Sequence, residues 1–302
     1  MDQSHLGQSA RLKGILFMLT SGCCWGCHGV LIKSAYSLGG SFIQVFLCEA
    51  LFATLFFGAF GRTFLRPVRP QGFKQWRDLL LIGLATIGIG VFLFLSYSLG
   101  PVAIPATLMF LYLPVVYLFS ILTKRQSFSL IKAGAISLVL LGAVLTTEIF
   151  STFEEPGAIP AVLAAVTASM CYAVVFIMTP AIGAYTTAEF RSFAVSFIGF
   201  LGCVLIVLSV PSLWYDLGEN TFKFVLLALF LGVVGQTLPV ITLMKGLPLT
   251  GSSLGGVLAS VELPIAVFSA ALLLGESLNP LKVTGVALVL AGIVIYNLSD
   301  RE

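Results

Sequence analysis

The sequence predicts an all-α integral membrane protein whose ten transmembrane helices form two inverted five-helix repeats. The composition, ten apolar runs of membrane-crossing length and a self-similarity at an offset of 150 residues point to this fold. Of 302 residues, 58% are hydrophobic and 10% are charged, with a mean hydropathy of +1.06. A soluble chain carries about 25% charged residues, so the medium around most of this one is hydrocarbon.

A helix needs about 20 apolar residues to cross a bilayer core. Such runs occur near 14–35, 41–60, 78–97, 102–122, 130–147, 157–180, 188–210, 222–243, 252–274 and 281–298. The linkers between them are short and leave no room for a separate soluble domain. The first run follows Arg11 and Lys13, and its Thr20-Ser21-Gly22-Cys23 approaches a lipoprotein cleavage box. The segment is needed for the internal repeat, so the expectation is an uncleaved N-terminus.

Residues 108–146 can be laid on 258–296, which places Pro114 on Pro264, Tyr112 on Glu262 and Gly142 on Gly292. The halves also begin alike: Cys24-Trp25 in SGCCWGCHGVLIK corresponds to Cys171-Tyr172 in ASMCYAVVFIM. The halves divide as 1–150 and 151–302 within one transmembrane domain. Five spans per half is an odd number, so the second copy enters the membrane from the opposite side and the repeat is inverted.

Charge predicts the orientation. A cytoplasmic N-terminus puts Arg11, Lys13, Arg62, Arg66, Arg69, Lys74, Arg77, Lys124, Arg125, Lys132, Lys245 and Arg301 inside. Only Lys33, Lys223 and Lys282 then fall outside, with the acidic linker Glu148, Glu154 and Glu155. Both termini are therefore expected in the cytoplasm of a cell with a bacterial-type inner membrane. The net charge of +3 is an orientation signal, and no nucleic-acid partner is expected. All six cysteines lie inside spans, which argues against a disulfide framework. Cys24-x-x-Cys27 beside His28 has metal-like spacing but no fourth ligand, so no metal is expected.

The tandem ten-helix arrangement, the aromatic residue late in each half's first helix, and the Glu262-x-Pro264 followed by LLLGESLNPLKVTGVALVLAGIVI resemble the EamA branch of the drug/metabolite transporter superfamily. The resemblance covers nearly the whole chain. It implies a secondary transporter whose central cavity is lined by both halves and opens alternately to either side. It implies no particular cargo.

Candidate site residues come from polar groups where hydrocarbon is expected. Glu49 lies within VFLCEALFATLFF (45–57). A carboxylate near mid-bilayer costs about 2.5–3.5 kcal/mol on insertion scales, so it faces the bundle interior or a wet cavity. Relatives in the resembled family tend to carry arginine in each half's second helix; the second half keeps Arg191 and the first has Glu49 instead. The pair either contacts substrate or holds the halves together as an ion pair. Glu262 stands two residues before Pro264, whose missing N–H frees a carbonyl. Trp25, Tyr112 and Tyr172 rise above the background of 25 phenylalanines through repeat position, and Gln236 adds an amide. Glu49, Glu262 and His28 are candidates for proton coupling. Pro105, Pro114, Pro239 and Pro264 are candidate hinges. Gly22 with Gly26, Gly251 with Gly255 and Gly256, and Gly134 with Gly142 are expected to let helices approach closely.

The expected function is a secondary active transporter of a small polar metabolite, amine-bearing by preference because two carboxylates and three aromatic rings suit an amino acid, betaine or quaternary amine. No G-x-x-x-x-G-K-[ST] occurs, which disfavours nucleotide hydrolysis, and no cofactor is expected. The alternatives are a lipid-modifying membrane enzyme, a non-transporting sensor, or a carrier of nucleosides or sugars. Oligomeric state is left open.

Overall fold

The structure is a computed structural model that describes residues 3–64, 70, 72–100, 103–147, 149, 158–274 and 278–300. Arg66, Arg69, Glu148, Glu154, Glu155, Pro101, the Gly275-Glu276 pair and Arg301 lie outside the described residues, as does the side chain of Arg62.

Ten membrane-length helical segments follow one another: α1 (Ser9–Ser37), α2 (Phe42–Ala59), α3 (Phe73–Leu99), α4 (Ala103–Leu122), α5 (Leu130–Thr147), α6 (Ala158–Gly183), α7 (Ala188–Ser209), α8 (Gly218–Thr250), α9 (Ser252–Leu273) and α10 (Pro280–Ser299). Each matches one apolar run of the sequence. Large apolar side chains such as Leu55, Leu122, Leu163, Leu205 and Leu272 point outward, as hydrocarbon permits.

Packing follows the repeat. The principal neighbours are α1 with α8, α3 with α6, α2 with α7, α5 with α10, α1 with α9, and α4 with α6. Exchanging the halves maps α1–α8 onto α3–α6 and α1–α9 onto α4–α6, while α2–α7 and α5–α10 map onto themselves. The chain therefore holds together mainly by contacts between its two repeats.

The α5–α10 seam shows this symmetry in its atoms. A Cβ on Gly142 would lie 2.6 Å from the Gly285 carbonyl oxygen, and one on Gly292 would lie 2.6 Å from that of Ala135. Residues 135 and 142 of α5 are the repeat equivalents of 285 and 292 in α10, so the two contacts are copies of each other. Small residues permit backbone contact where lipid supplies no hydrophobic driving force. Gly134 differs from its sequence expectation: nothing lies within 4 Å of its Cβ position, because it is one residue off the seam-facing stripe. Gly22 and Gly26 press α1 against α9, where added Cβ atoms would come within 2.5 Å of the Ala259 oxygen and Ile265 Cβ. A Cβ on Gly255 would lie 2.7 Å from Leu247 Cδ2 and one on Gly256, less crowded, 3.1 Å from Leu113 Cδ2, whereas Gly251 stands in open space with φ +77°.

Four segments are not continuous α-helix. α1 breaks at Cys27, between Gln3–Gly26 and His28–Ser37. α4 passes through a 3-10 turn at Met109–Leu111, and α9 breaks between Ser252–Ala259 and Glu262–Leu274. These last two breaks are equivalent at the repeat offset. α8 carries a π-helical stretch, Leu231–Thr237, whose counterpart in α3 is regular helix. Pro114, Pro239 and Pro264 each stand in the first turn of the helix that restarts after a break, where a missing N–H costs least. Pro105 stands in the first turn of α4 and interrupts nothing, so the sequence expectation of a bend there is not met.

Candidate functional site

The broken helices meet around a central cavity of about 90 Å³. At breaks within a bilayer, carbonyls need partners that water would otherwise supply. Here the other repeat supplies them. The Trp25 indole Nε1 donates to the Gly235 oxygen at 2.8 Å, and Ser21 Oγ donates to the Pro239 oxygen at 2.9 Å. Ser169 Oγ donates to the Met109 oxygen at 2.8 Å, and Ser269 Oγ to the Gly26 oxygen at 3.2 Å. Pro239 has no N–H to offer the Gly235 carbonyl four residues earlier, so the Trp25 bond replaces a helix bond that the sequence itself removes.

Trp25, His28, Glu49, Tyr172, Gln236 and Glu262 line the cavity, together with Phe46, Phe94, Tyr97, Met109 and Met244. His28 Nε2 lies 2.9 Å from Glu49 Oε1, an ion-pair contact that lacks hydrogen-bond alignment. Neither Glu49 oxygen has a hydrogen-bond partner among the described residues, though the residue is only 1% exposed. Effective penalties for a buried ion run to several kcal/mol, so this carboxylate depends on the imidazole or on something that enters the cavity. Gly235 makes room for the pair: a Cβ there would lie 2.7 Å from Glu49 Oε1 and 2.9 Å from His28 Nε2. The Glu262 carboxylate opens onto the same space.

Aromatic rings form the rest of the wall. Trp25 meets Tyr172 edge-on with centroids 5.7 Å apart, and Phe94 meets His28 at 5.7 Å and Phe46 at 5.3 Å. Tyr112 stands behind this wall. Its ring supports Tyr172 at 4.8 Å, its hydroxyl donates to the Gly256 oxygen at 2.8 Å, and it is 1% exposed.

Arg191 also lies off the cavity, and the sequence expectation of a Glu49–Arg191 pair is not realised. Its Nη1 donates to the Thr186 oxygen at 2.6 Å and to Thr186 Oγ1 at 3.0 Å, and its Nη2 donates to the Met244 oxygen. The guanidinium thus clamps the α6–α7 turn to α8, and Glu49 turns to His28 across the α1 break instead. Phe46, Phe94 and Tyr97 were not singled out in the sequence; Tyr97 carried a signal in the Ser96-Tyr97-Ser98 stretch, while the phenylalanines carried none. Thr86 also lines the cavity, with its hydroxyl bonded to the Ile82 oxygen. Among the described residues, no cluster of His, Cys, Asp and Glu has metal-binding geometry.

The family model of the EamA-like transporter family matches residues 12–148 and again 159–298. One solved crystal structure, 17% identical, superposes with a TM-score of 0.75 over 97% of this chain and 99% of that one, which shows a shared fold. No functionally curated protein matches the sequence significantly.

Proposed function

Because the chain belongs to the EamA-like transporter family, we propose that its cavity carries a small amine-bearing metabolite across the membrane by alternating access. The observation that supports this reading is the charge of the wall. Among the described residues that line the cavity, the acidic side chains are Glu49 and Glu262, with His28 beside Glu49; no lysine or arginine is present. A desolvated cation gains about 2 kcal/mol against an aromatic face in addition to its attraction to carboxylate. Glu262, which has no ion-pair partner among the described residues, is the anchor for the cation, and Trp25, Tyr172 and Phe94 are its aromatic walls. Gln236 supplies polar contacts. A zwitterion would need His28 for its carboxylate, because Arg191 is committed to backbone oxygens. A cationic or quaternary amine is the better fit.

The His28–Glu49 pair and Glu262 are the groups suited to exchange a proton for the cargo. Motion would turn on the breaks in α1, α4, α8 and α9, with Pro114, Pro239 and Pro264 at their edges. The inner membrane, with both termini cytoplasmic, is the expected location, on the bias of basic residues; of these, Arg11 and Lys132 share Asp300, and Lys245 pairs separately with Glu189.

The test is ligand-induced thermal stabilisation of the purified chain by amines, amino acids, sugars and nucleotides. Amines should raise Tm, and Glu262→Gln should fold normally while losing that shift. Stabilisation by sugars or phosphorylated compounds alone, or an amine shift that survives Glu262→Gln, refutes the reading.

A further inference from the structure

The wall of the central cavity carries more hydrogen-bonding capacity than a bare cation uses. Its uncharged polar side chains divide into two sets. Trp25 and Thr86 are spent on backbone, the indole on the Gly235 oxygen at 2.8 Å and the hydroxyl on the Ile82 oxygen at 2.8 Å. Tyr97 from α3, Tyr172 from α6 and Gln236 from α8 have no hydrogen-bond partner among the described residues, although they are only 8%, 7% and 8% exposed. Their polar ends are not sealed within the packing, as the Ser192 and Ser196 hydroxyls are, so what surface they keep is on the cavity.

The repeat sharpens the contrast. Gln236 stands at the repeat position of Thr86, within the π-helical stretch Leu231–Thr237, and keeps its whole amide where Thr86 has turned its hydroxyl onto its own helix. Tyr172 stands at the position of Trp25, whose N–H is committed. Tyr97 falls at the position of Leu247, which is 0% exposed, so nothing in the shared scaffold calls for a hydroxyl there. That hydroxyl lies beside the break in α1: a Cβ on Gly29, the residue after His28, would come within 3.1 Å of it.

Each tyrosine brings one O–H donor, and the glutamine an NH2 and an oxygen. A cation answers Glu49 and Glu262 but offers these donors no acceptor. Water can meet them while the cavity is free of cargo, and a cargo that displaces the water without reproducing its bonds loses affinity. A site built to hydrogen-bond a substrate oxygen therefore rejects the analogue that lacks it far more strongly than an apolar pocket rejects a methylene.

We propose that the cargo carries a neutral oxygen acceptor, a hydroxyl or an amide carbonyl, beside its cationic nitrogen, and that Tyr97 selects for it by donating its O–H. This rests on the amine reading of the same cavity. A carboxylate in place of the neutral oxygen would share one poorly solvated space with Glu49 and Glu262, where like charges repel. Amino alcohols and amino amides are the class that fits, and plain alkylamines are selected against.

The experiment follows thermal unfolding of the purified full chain with two sets of probes: choline, propyltrimethylammonium and glycine betaine, and ethanolamine, propylamine and glycine. Within each set the head is kept while the oxygen is a hydroxyl, a methyl or a carboxylate. For whichever head is accepted, the hydroxyl member should half-saturate the shift at a concentration about tenfold lower than the alkyl member. Tyr97→Phe should melt as the wild type does, since its hydroxyl has no bond in the protein to lose, and should bring the two members within about threefold of each other. If that variant does not fold, the wild-type comparison decides alone. The proposal falls if the alkyl member binds as tightly as the hydroxyl member, if the carboxylate member binds more tightly than either, or if Tyr97→Phe keeps the tenfold preference. In those cases an amine response remains and the amine reading stands; no response to any probe removes both.

Discussion

Gly235→Ala tests whether the His28–Glu49 pair is held by space as well as by charge. The added methyl carbon would start 2.7 Å from Glu49 Oε1, 2.7 Å from His28 Cδ2 and 2.9 Å from His28 Nε2. These separations are well inside van der Waals contact, so the pair must move by several tenths of an ångström. Two opposed effects decide the stability. Removing a glycine from a helical segment gains about 0.4–1 kcal/mol by restricting the unfolded chain. Overpacking a filled site costs about 1–3 kcal/mol. The second wins if the neighbours cannot yield, and they have little freedom: Glu49 is 1% exposed, and the Gly235 carbonyl is pinned by Trp25 at 2.8 Å. The net expectation is about 1–2 kcal/mol of destabilisation. Amine-induced stabilisation and tracer flux in liposomes should fall at least tenfold, since the displaced pair intrudes on the cavity. Thermal unfolding and flux are measured on the same preparation. A variant with raised Tm and unchanged flux would refute the reasoning, because it would mean that the space beside Gly235 is free.

The seam between α5 and α10 offers a matched pair: Gly142→Ala should lower Tm through its 2.6 Å approach to the Gly285 oxygen, while Gly134→Ala, in open space, should leave Tm unchanged or raise it. The reverse order in a thermal melt would contradict the packing described. Arg191→Gln should destabilise the protein by about 1.5–3 kcal/mol through its lost bonds to Thr186 and Met244, with ligand affinity preserved in the folded fraction. Lost affinity at unchanged Tm would instead make Arg191 a cargo contact. Lys74→Cys on a cysteine-free background should resist an impermeant thiol reagent applied outside intact cells and react after permeabilisation; reaction from outside would invert the proposed topology.

The spans were legible in the sequence because bilayer thickness imposes one length on every helix, and the repeat because its offset aligns the two halves; which helices pack together was read only from the structure. The breaks were legible only in part. Prolines 114, 239 and 264 marked them, yet a proline in a sequence does not reveal whether it bends a helix or starts one, and Pro105 starts one. The π-helical stretch of α8 left no signal beyond the glycines at 232 and 235, whose reason is the crowding by Phe52, Glu49 and His28.

Glu49 shows where sequence reasoning reached its limit and why. Hydropathy located it as a charge that must face inward, but the choice of partner depends on which groups a break brings within 3 Å. Arg191, aligned with it by repeat position, belongs to a turn whose own carbonyls need donors, and those satisfied it locally. His28 lies 21 positions away in sequence, beyond a helix break, and meets Glu49 at 2.9 Å because α1 restarts at that residue. Repeat symmetry predicts equivalent backbone positions; it does not predict which side chains interact when the two copies carry different charges. The asymmetry between a carboxylate in one half and a guanidinium in the other is therefore what turns a symmetric scaffold into a cavity of one sign, with acidic groups at its wall and the arginine spent on holding the helices beside it.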